Sequence, residues 1–298
     1  MIYHQPVLPE SSVKGLNIDP DGIYVDVTYG GGGHSAKILE KLENGKLIAF
    51  DQDPDAGQNV PEDERLIFLN ENFRHMKTML KMYKAYPVDG ILADLGISSW
   101  QINKPERGFS TRFNGPLDMR MDRKQLLTAA RVVNEYEQEE LINIFRNYGE
   151  IKNAYKVAAQ IVNERKKNEI ITTEDLKNAL LRTAPKMKEN KFFAQVFQAL
   201  RIEVNSEMDA LKDLLQQSLE MLKTGGRMVF ISYHSLEDRL VKNFMKTGKF
   251  SSEVEKDIFG NDLSPVKPVG KLIVPDEKEV LQNPRSRSAK LRIAEKLK

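Results

Sequence analysis

Val25-Asp26-Val27-Thr28-Tyr29-Gly30-Gly31-Gly32-Gly33-His34-Ser35 is the stretch on which the fold turns. The β-branched run from Ile23 to Thr28 reads as a buried strand. Four glycines follow at once, and a helical spacing begins at Ser35 and continues through Ile38, Leu39 and Leu42. Strand, glycine turn and helix together open a nucleotide-binding α/β unit. Glycine tolerates positive φ and lets a ligand approach where a Cβ would stand. Ser35 is expected to cap the helix, whose first N–H groups then remain for ligand oxygens. A plain flexible turn is the bland alternative.

The second strand, Lys46 to Phe50, runs into Asp51-Gln52-Asp53. A carboxylate there, about 20 residues beyond the glycines, suits a ribose diol. The dinucleotide fingerprint is incomplete, because its third glycine falls on Ser35. S-adenosylmethionine (SAM) has the diol and lacks the pyrophosphate, so a SAM site is the favoured reading. A dinucleotide-dependent oxidoreductase and a non-catalytic RNA-binding factor stay open as rivals.

The chain has 298 residues, enough for one large or two modest domains. Hydrophobic residues make up 40% and charged residues 30%, which permits a sizeable core. The absence of cysteine excludes disulfides and thiolate metal sites. The four histidines show no i,i+4 pairing, so no metal site is expected. No signal peptide and no membrane-spanning run is visible, and a cytoplasmic location is the expectation. Net charge is only +2, yet Arg285, Arg287, Lys290, Arg292, Lys296 and Lys298 face a single acid, Glu295, near the end of the chain. Such a tail could meet phosphate or could protect a strand edge.

Strands at Arg65–Leu69 and Val88–Ala93 continue an alternation with helices, among them a leading helix over Val7–Leu16 and one from Asn72-Phe73 to about Tyr83. This alternation marks a parallel sheet covered on both faces. From Gly96 to Arg123 no helical period is visible. From about Leu126 to Lys223 the pattern is helical, with candidates at Glu137–Tyr148, Asn153–Lys167, Thr173–Arg182 and a long helix from Phe193 to Leu222. Thr172-Thr-Glu-Asp175 reads as a capping box. Strands resume at Arg227–Ser232, a helix follows at Leu236–Met245, and Lys271–Val274 with Lys290–Ala294 are the expected final pair. The partition is a discontinuous α/β domain, residues 1–106 and 205–298, carrying an inserted helical domain over 107–204.

A SAM enzyme must hold its acceptor in line with the sulfonium methyl and exclude water. Residues at the ends of strands are where ligands bind in such sheets. Asp94 ends one strand and can bond cofactor or an acceptor amine. Ser98 and Ser99 offer hydroxyls, Trp100 a stacking face, and Gln101 an amide. Phe73, after strand three, could stack on adenine. His34 adjoins the glycines. Within Tyr233-His-Ser-Leu-Glu-Asp-Arg239, His234 and Ser235 are candidates to position an acceptor. Arg201 and Asn205 are candidates on the long helix.

These stretches together resemble the MraW-type (RsmH) family of bacterial SAM-dependent methyltransferases. The matching pieces are His4-Gln-Pro-Val-Leu8, Asp26 to Ser35, Asp51-Gln-Asp53, Asp94 to Gln101 and Arg107-Gly-Phe-Ser110. They continue with Pro116 to Asp122, Tyr148-Gly-Glu150, Phe197 to Ile202, His234 to Arg239 and Asn283 to Arg292. The resemblance implies a class I methyltransferase sheet with an inserted helical domain for substrate recognition. It implies methyl transfer to the N4 amine of a cytidine in small-subunit (16S) ribosomal RNA. It places cofactor contacts on Gly32, Gly33, His34, Asp51, Phe73, Asp94 and Gln101; for catalysis, Asp94 and Ser98 are the candidates to hydrogen-bond the acceptor amine. The implied partners are SAM and ribosomal RNA within the small subunit, with no membrane; a homodimer stays open. The chain departs from the family where His-Pro-x-x-Arg is usual, reading Lys191-Phe-Phe-Ala-Gln-Val196, and at Ile151, where a second acid is common after Glu150.

Overall fold

The computed structural model describes residues 6–297. His4 and Gln5 of the first matching motif, and Lys298 of the basic tail, lie outside them. Along the chain come α1 (Pro9–Leu16), β1 (Ile23–Asp26), α2 (Gly33–Leu39), β2 (Lys46–Phe50), β3 (Leu66–Leu69), α3 (Met76–Met82) and β4 (Val88–Asp94). Six helices follow: α4 (Ser99–Asn103), α5 (Ala129–Glu135), α6 (Gln138–Asn147), α7 (Ala154–Arg165), α8 (Thr173–Leu180) and α9 (Glu189–Asn205). The chain closes with α10 (Glu207–Met221), β5 (Leu222–Ser232), α11 (Ser235–Thr247), β6 (Val266–Pro268), α12 (Glu277–Gln282) and β7 (Lys290–Lys296).

Two compact units result. One runs up to Gly96, resumes at Met208 and contains the sheet. The other is Ile97–Glu207, built on α4 to α9. The strands lie in the order β3-β2-β1-β4-β5-β7-β6. β1 to β5 are mutually parallel, and β7 is antiparallel to both β5 and β6. Leu47 to Phe50, Ile91 to Ala93 and Met228 to Ile231 are fully buried runs. Continuous burial of this kind is what a parallel sheet covered on both faces requires. The class I methyltransferase sheet expected from the sequence is therefore present. No described helix is long and apolar enough to cross a membrane.

Several local expectations are corrected. Helix α2 starts two residues before Ser35, with Gly32 in the left-handed region as its N-cap. Ser35 does not cap it, because its hydroxyl donates instead to buried Asp26 Oδ2 at 2.7 Å. The expected loop after Gly96 contains α4, closed by a capping box between Ser98 and Gln101. Five residues are too few to display a helical period. The expected long helix from Phe193 to Leu222 is two helices, broken at Ser206, whose φ is 49°. Arg201 grips Glu207 through two hydrogen bonds of 2.8 and 2.9 Å across that turn. The last strand pair is also different. β7 pairs with Val266–Pro268, whereas Lys271–Val274 contributes one bridge, Ile273 to Leu291.

The basic tail is not a sheet edge, since β7 lies between β5 and β6. Lys290 and Arg292 converge on Asp238 of α11 at 3.0 and 2.8 Å, and these cations hold its carboxyl below the usual range against the opposing effect of burial.

In the helical unit Asn205 is buried and bridges two segments. Its Oδ1 accepts from Met121 N at 2.8 Å, and its Nδ2 donates to Met119 O at 2.8 Å. Met119 itself has φ of 61°. Asn205→Ala leaves both backbone groups without this partner. The expected cost is about 2–3 kcal/mol, read as a lower melting temperature. An unchanged melt would remove Asn205 from this bridging role.

Candidate active site

Parallel pairing brings the C-terminal ends of β1, β2, β4 and β5 to one edge of the sheet. The strand order reverses direction about β1, with β2 on one side and β4 on the other. Ligands of open α/β sheets bind at such a point, and here the glycine loop leaves it. Gly30 has φ of 54°, and a Cβ built there would meet nothing closer than Thr28 O at 3.9 Å. The backbone is thus bare above that residue. Gly32 is tight by contrast: with φ of 78°, its Cβ would fall 2.6 Å from the Tyr29 hydroxyl. Gly32→Ala is expected to lose about 1–3 kcal/mol of stability through left-handed strain, with the clash adding to it. A thermal melt reads this directly, and an unshifted melt would contradict the packing described. Gly33 lies on the Pro6 ring, 2.9 Å from a built Cβ.

Three carboxylates gather at this edge. Asp51 follows β2 and is held by two backbone donors, Gly30 N to Oδ2 at 2.7 Å and Asp53 N to Oδ1 at 2.8 Å. Burial pushes its carboxyl up to about 7, only partly offset by those hydrogen bonds. Asp94 ends β4. Its Oδ1 accepts from the Tyr233 hydroxyl at 2.7 Å, and its Oδ2 lies 3.8 Å from His34 Nδ1. Burial raises its carboxyl to about 6, with His34 and Tyr233 opposing the rise. Asp26 is fully buried beneath the loop, accepting from Ser35 Oγ at 2.7 Å and Thr28 N at 3.1 Å. Burial raises its carboxyl as well.

His34 sits inside α2 rather than at its cap. Its Nε2 is 2.9 Å from the Val7 carbonyl, an acceptor, so Nε2 carries a proton and Nδ1 is the nitrogen turned to Asp94. Phe73 begins a 3-10 turn after β3, half-buried, with Asn72 as its N-cap. That turn is tied to the Asp51 turn, since Asn72 Nδ2 donates to Gln52 Oε1 at 2.7 Å and Asn70 Nδ2 to Asp51 O at 2.9 Å. Gly32, Gly33, His34, Asp51, Phe73 and Asp94 therefore belong to the sheet-bearing unit. Ser98 and Gln101 belong to the helical unit and hold each other. Ser98 Oγ accepts from Gln101 N at 3.2 Å, and Gln101 Oε1 accepts from Ser98 N at 3.0 Å. Trp100 is not core: it is 41% exposed, with Lys104 Nζ 4.4 Å above its ring.

Sequence reading overlooked two members of this edge. Asp26 carried a signal, an acid at the end of the first strand just before the glycines. Tyr233 stands in the polar run 233–239, where His234 and Ser235 carry the stronger signal in sequence. His234 proves to be the N-cap of α11, and Glu237 Oε2 accepts from Tyr233 N at 2.9 Å. Those two residues fix the turn that presents Tyr233 to Asp94.

The donor set fits SAM. A bare glycine backbone admits a ligand, a carboxylate at the end of β2 can accept from a ribose diol, and the acids suit a ligand bearing sulfonium and ammonium groups. The same acids would repel a pyrophosphate. The sequence profile of the MraW methylase family matches residues 1–297. Ribosomal RNA small subunit methyltransferase H of Flavobacterium johnsoniae is 58% identical over 298 residues, covering 100% of this chain and 99% of that protein. Its counterpart in Cytophaga hutchinsonii is 55% identical over 297 residues, covering 99% and 100%. Among solved structures, an rRNA methylase from Streptococcus thermophilus superposes with a TM-score of 0.44 at 13% identity, covering 100% of this chain and 99% of that one. A profile match along nearly the whole chain, joined to relatives more than half identical over their full length, makes this chain a member of the MraW methylase family.

Proposed function

We propose that this protein transfers a methyl group from SAM to the N4 exocyclic amine of a cytidine in small-subunit (16S) ribosomal RNA, in the cytoplasm. The single observation that carries the chemistry is Asp94, held at the end of β4 by Tyr233 and facing His34. The names of the full-length relatives support the RNA substrate.

SAM supplies a methyl group already activated by its sulfonium. The residues assigned to hold it are Gly32, Gly33, His34, Asp51, Phe73, Asp94 and Gln101. The nitrogen of cytosine is a poor nucleophile because its lone pair is delocalised into the ring. A hydrogen bond from the amine to Asp94 draws the nitrogen toward sp3 character as it attacks, a stabilisation that grows toward the transition state. The Tyr233 hydroxyl already fills Asp94 Oδ1 and fixes the carboxylate plane, so Oδ2 is the oxygen assigned to the amine. Asp94, with its carboxyl near 6, can take the proton that leaves after transfer. Ser98 is assigned a second hydrogen bond to the same base. The base must be splayed out of its stack to reach the methyl group. The sheet-bearing unit serves as the methyltransferase domain, and the helical unit, Ile97–Glu207 rather than the expected 107–204, as the substrate-recognition domain.

Incubation with SAM and small ribosomal subunits tests this reading. Methyl transfer into the RNA is expected. Transfer only to protein or to a small molecule would end it.

A further inference from the structure

Several cations of the helical unit stand beside acids, while others, Arg112, Lys124, Lys166 and Arg182 among them, are exposed and scattered. The matched ones include Lys104 with Glu106, Arg131 with Glu135, Lys167 with Glu164 and Lys177 with Glu174. Arg146, Lys152, Lys156, Lys186, Lys188 and Lys191 fall in two segments instead. All six are exposed, and none has an ion-pair partner among the described residues. Segments 146–156 and 186–191 hold these six cations and two acids, Glu150 and Glu189. That is a net +4 in 17 residues, against +2 for all 298.

The fold brings the two segments together. Gln195 Nε2 donates to Gly149 O at 2.9 Å, and Gln198 Nε2 donates to Tyr148 O at 2.9 Å. Lys191 lies one turn before Gln195 on the same side of α9, and Lys188 is the N-cap of that helix. Lys152 and Lys156 lie just beyond Gly149, with Tyr155 exposed between them. One element of the acidic content is already engaged, as Glu189 Oε1 accepts from Met187 N at 3.1 Å.

We infer that this face, formed by the 146–156 segment and the start of α9, grips the phosphodiester backbone of the RNA substrate. Unpaired lysines on a face that also exposes an aromatic side chain are the chemistry that a polyanion with stackable bases meets. The inference rests on the proposed RNA methyltransferase activity and names the surface that holds its substrate. It also reassigns the turn where the chain departs from the family pattern: Lys191, with Lys188, supplies charge there.

The test is the triple variant Lys152→Gln, Lys188→Gln and Lys191→Gln, with Lys167→Gln and Lys177→Gln as the control pair. Transfer to small ribosomal subunits and filter binding of free small-subunit rRNA are followed across a salt series. The triple variant is expected to raise KM about 10-fold or more and to flatten the slope of log affinity against log salt by about 2. Its kcat and its SAM affinity should match wild type, and the control pair should match wild type throughout. An unchanged KM and salt slope would overturn the assignment, as would a fall in kcat alone. A defect on assembled subunits with normal binding of free rRNA would assign the face to a ribosomal protein instead, and would also overturn it. If wild type binds rRNA but transfers no methyl group to it, the activity fails while the salt series still reports on the face.

Discussion

Asp51→Asn is expected to weaken SAM binding about 100-fold and to flatten the pH dependence of the ligand-free protein's stability. The loss follows from replacing an ionised acceptor of the ribose diol by a neutral one that accepts at a single oxygen. Hydrogen bonds to charged groups are worth about 1.5–3 kcal/mol each, so losing the equivalent of one or two gives roughly two orders of magnitude. The flatter pH dependence follows from burial. The Asp51 carboxyl is pushed up to about 7, so at pH 8 the empty fold carries a charge that it disfavours. The unfolded chain ionises near the ordinary aspartate value of about 3.9. Between those two values the folded state binds more protons, and stability of the ligand-free protein rises as pH falls. The variant lacks this contribution, so its stability should depend less on pH, while its amide can accept from only one of the two backbone donors, Gly30 N and Asp53 N. SAM affinity has the opposite dependence. The diol needs the carboxylate, so wild-type affinity is complete above about 7 and falls as pH drops through that value. Calorimetric titration from pH 5.5 to 8.5 reads affinity, and thermal melts read stability. Equal SAM affinity in wild type and variant would remove Asp51 from the site.

The second large effect is expected at Asp94. Asp94→Asn should lower kcat by about 10²–10³ at saturating SAM, the range found when a group aimed at developing charge is removed. The fold should survive, since the amide oxygen can still accept from the Tyr233 hydroxyl. Tyr233→Phe gives the more diagnostic result. Its hydrogen bond lowers the Asp94 carboxyl against the effect of burial. Removing it raises that group, so the acid limb of the rate, near 6 in wild type, should move to higher pH in Tyr233→Phe. At pH 8 the variant should keep much of its rate. A pH profile of identical midpoint in the two proteins would show that Tyr233 does not govern Asp94.

What the sequence disclosed and what it hid divide along physical lines. The glycine loop, the strands at Lys46–Phe50 and Val88–Ala93 and the acids that end them are local signals, because burial on both faces leaves uninterrupted apolar runs. Helix caps were less legible. Ser35 has the side chain of an N-cap, but a buried carboxylate nearby offers its hydroxyl a better partner, and Gly32 takes the left-handed position. The break at Ser206 depends on Arg201 and Glu207 closing across it, which no periodicity records. β7 was found, yet its pairing with a three-residue strand at Val266–Pro268 was not, since so short a strand shows no alternation. The contact between Tyr233 and Asp94 joins residues 139 positions apart and is a property of strand order alone. The family resemblance pointed to Asp94, and only the fold supplied Tyr233 as the group that orients it.

The most direct measurement is the nucleoside composition of small-subunit rRNA after incubation with this protein and SAM bearing a deuterated methyl group. Digestion and mass spectrometry should find the label as N4-methylcytidine, formed at a sharply lower rate when Asp94 is replaced. Label on a ring carbon, on a sugar hydroxyl or on no nucleoside at all would contradict an amine held against Asp94 as the acceptor.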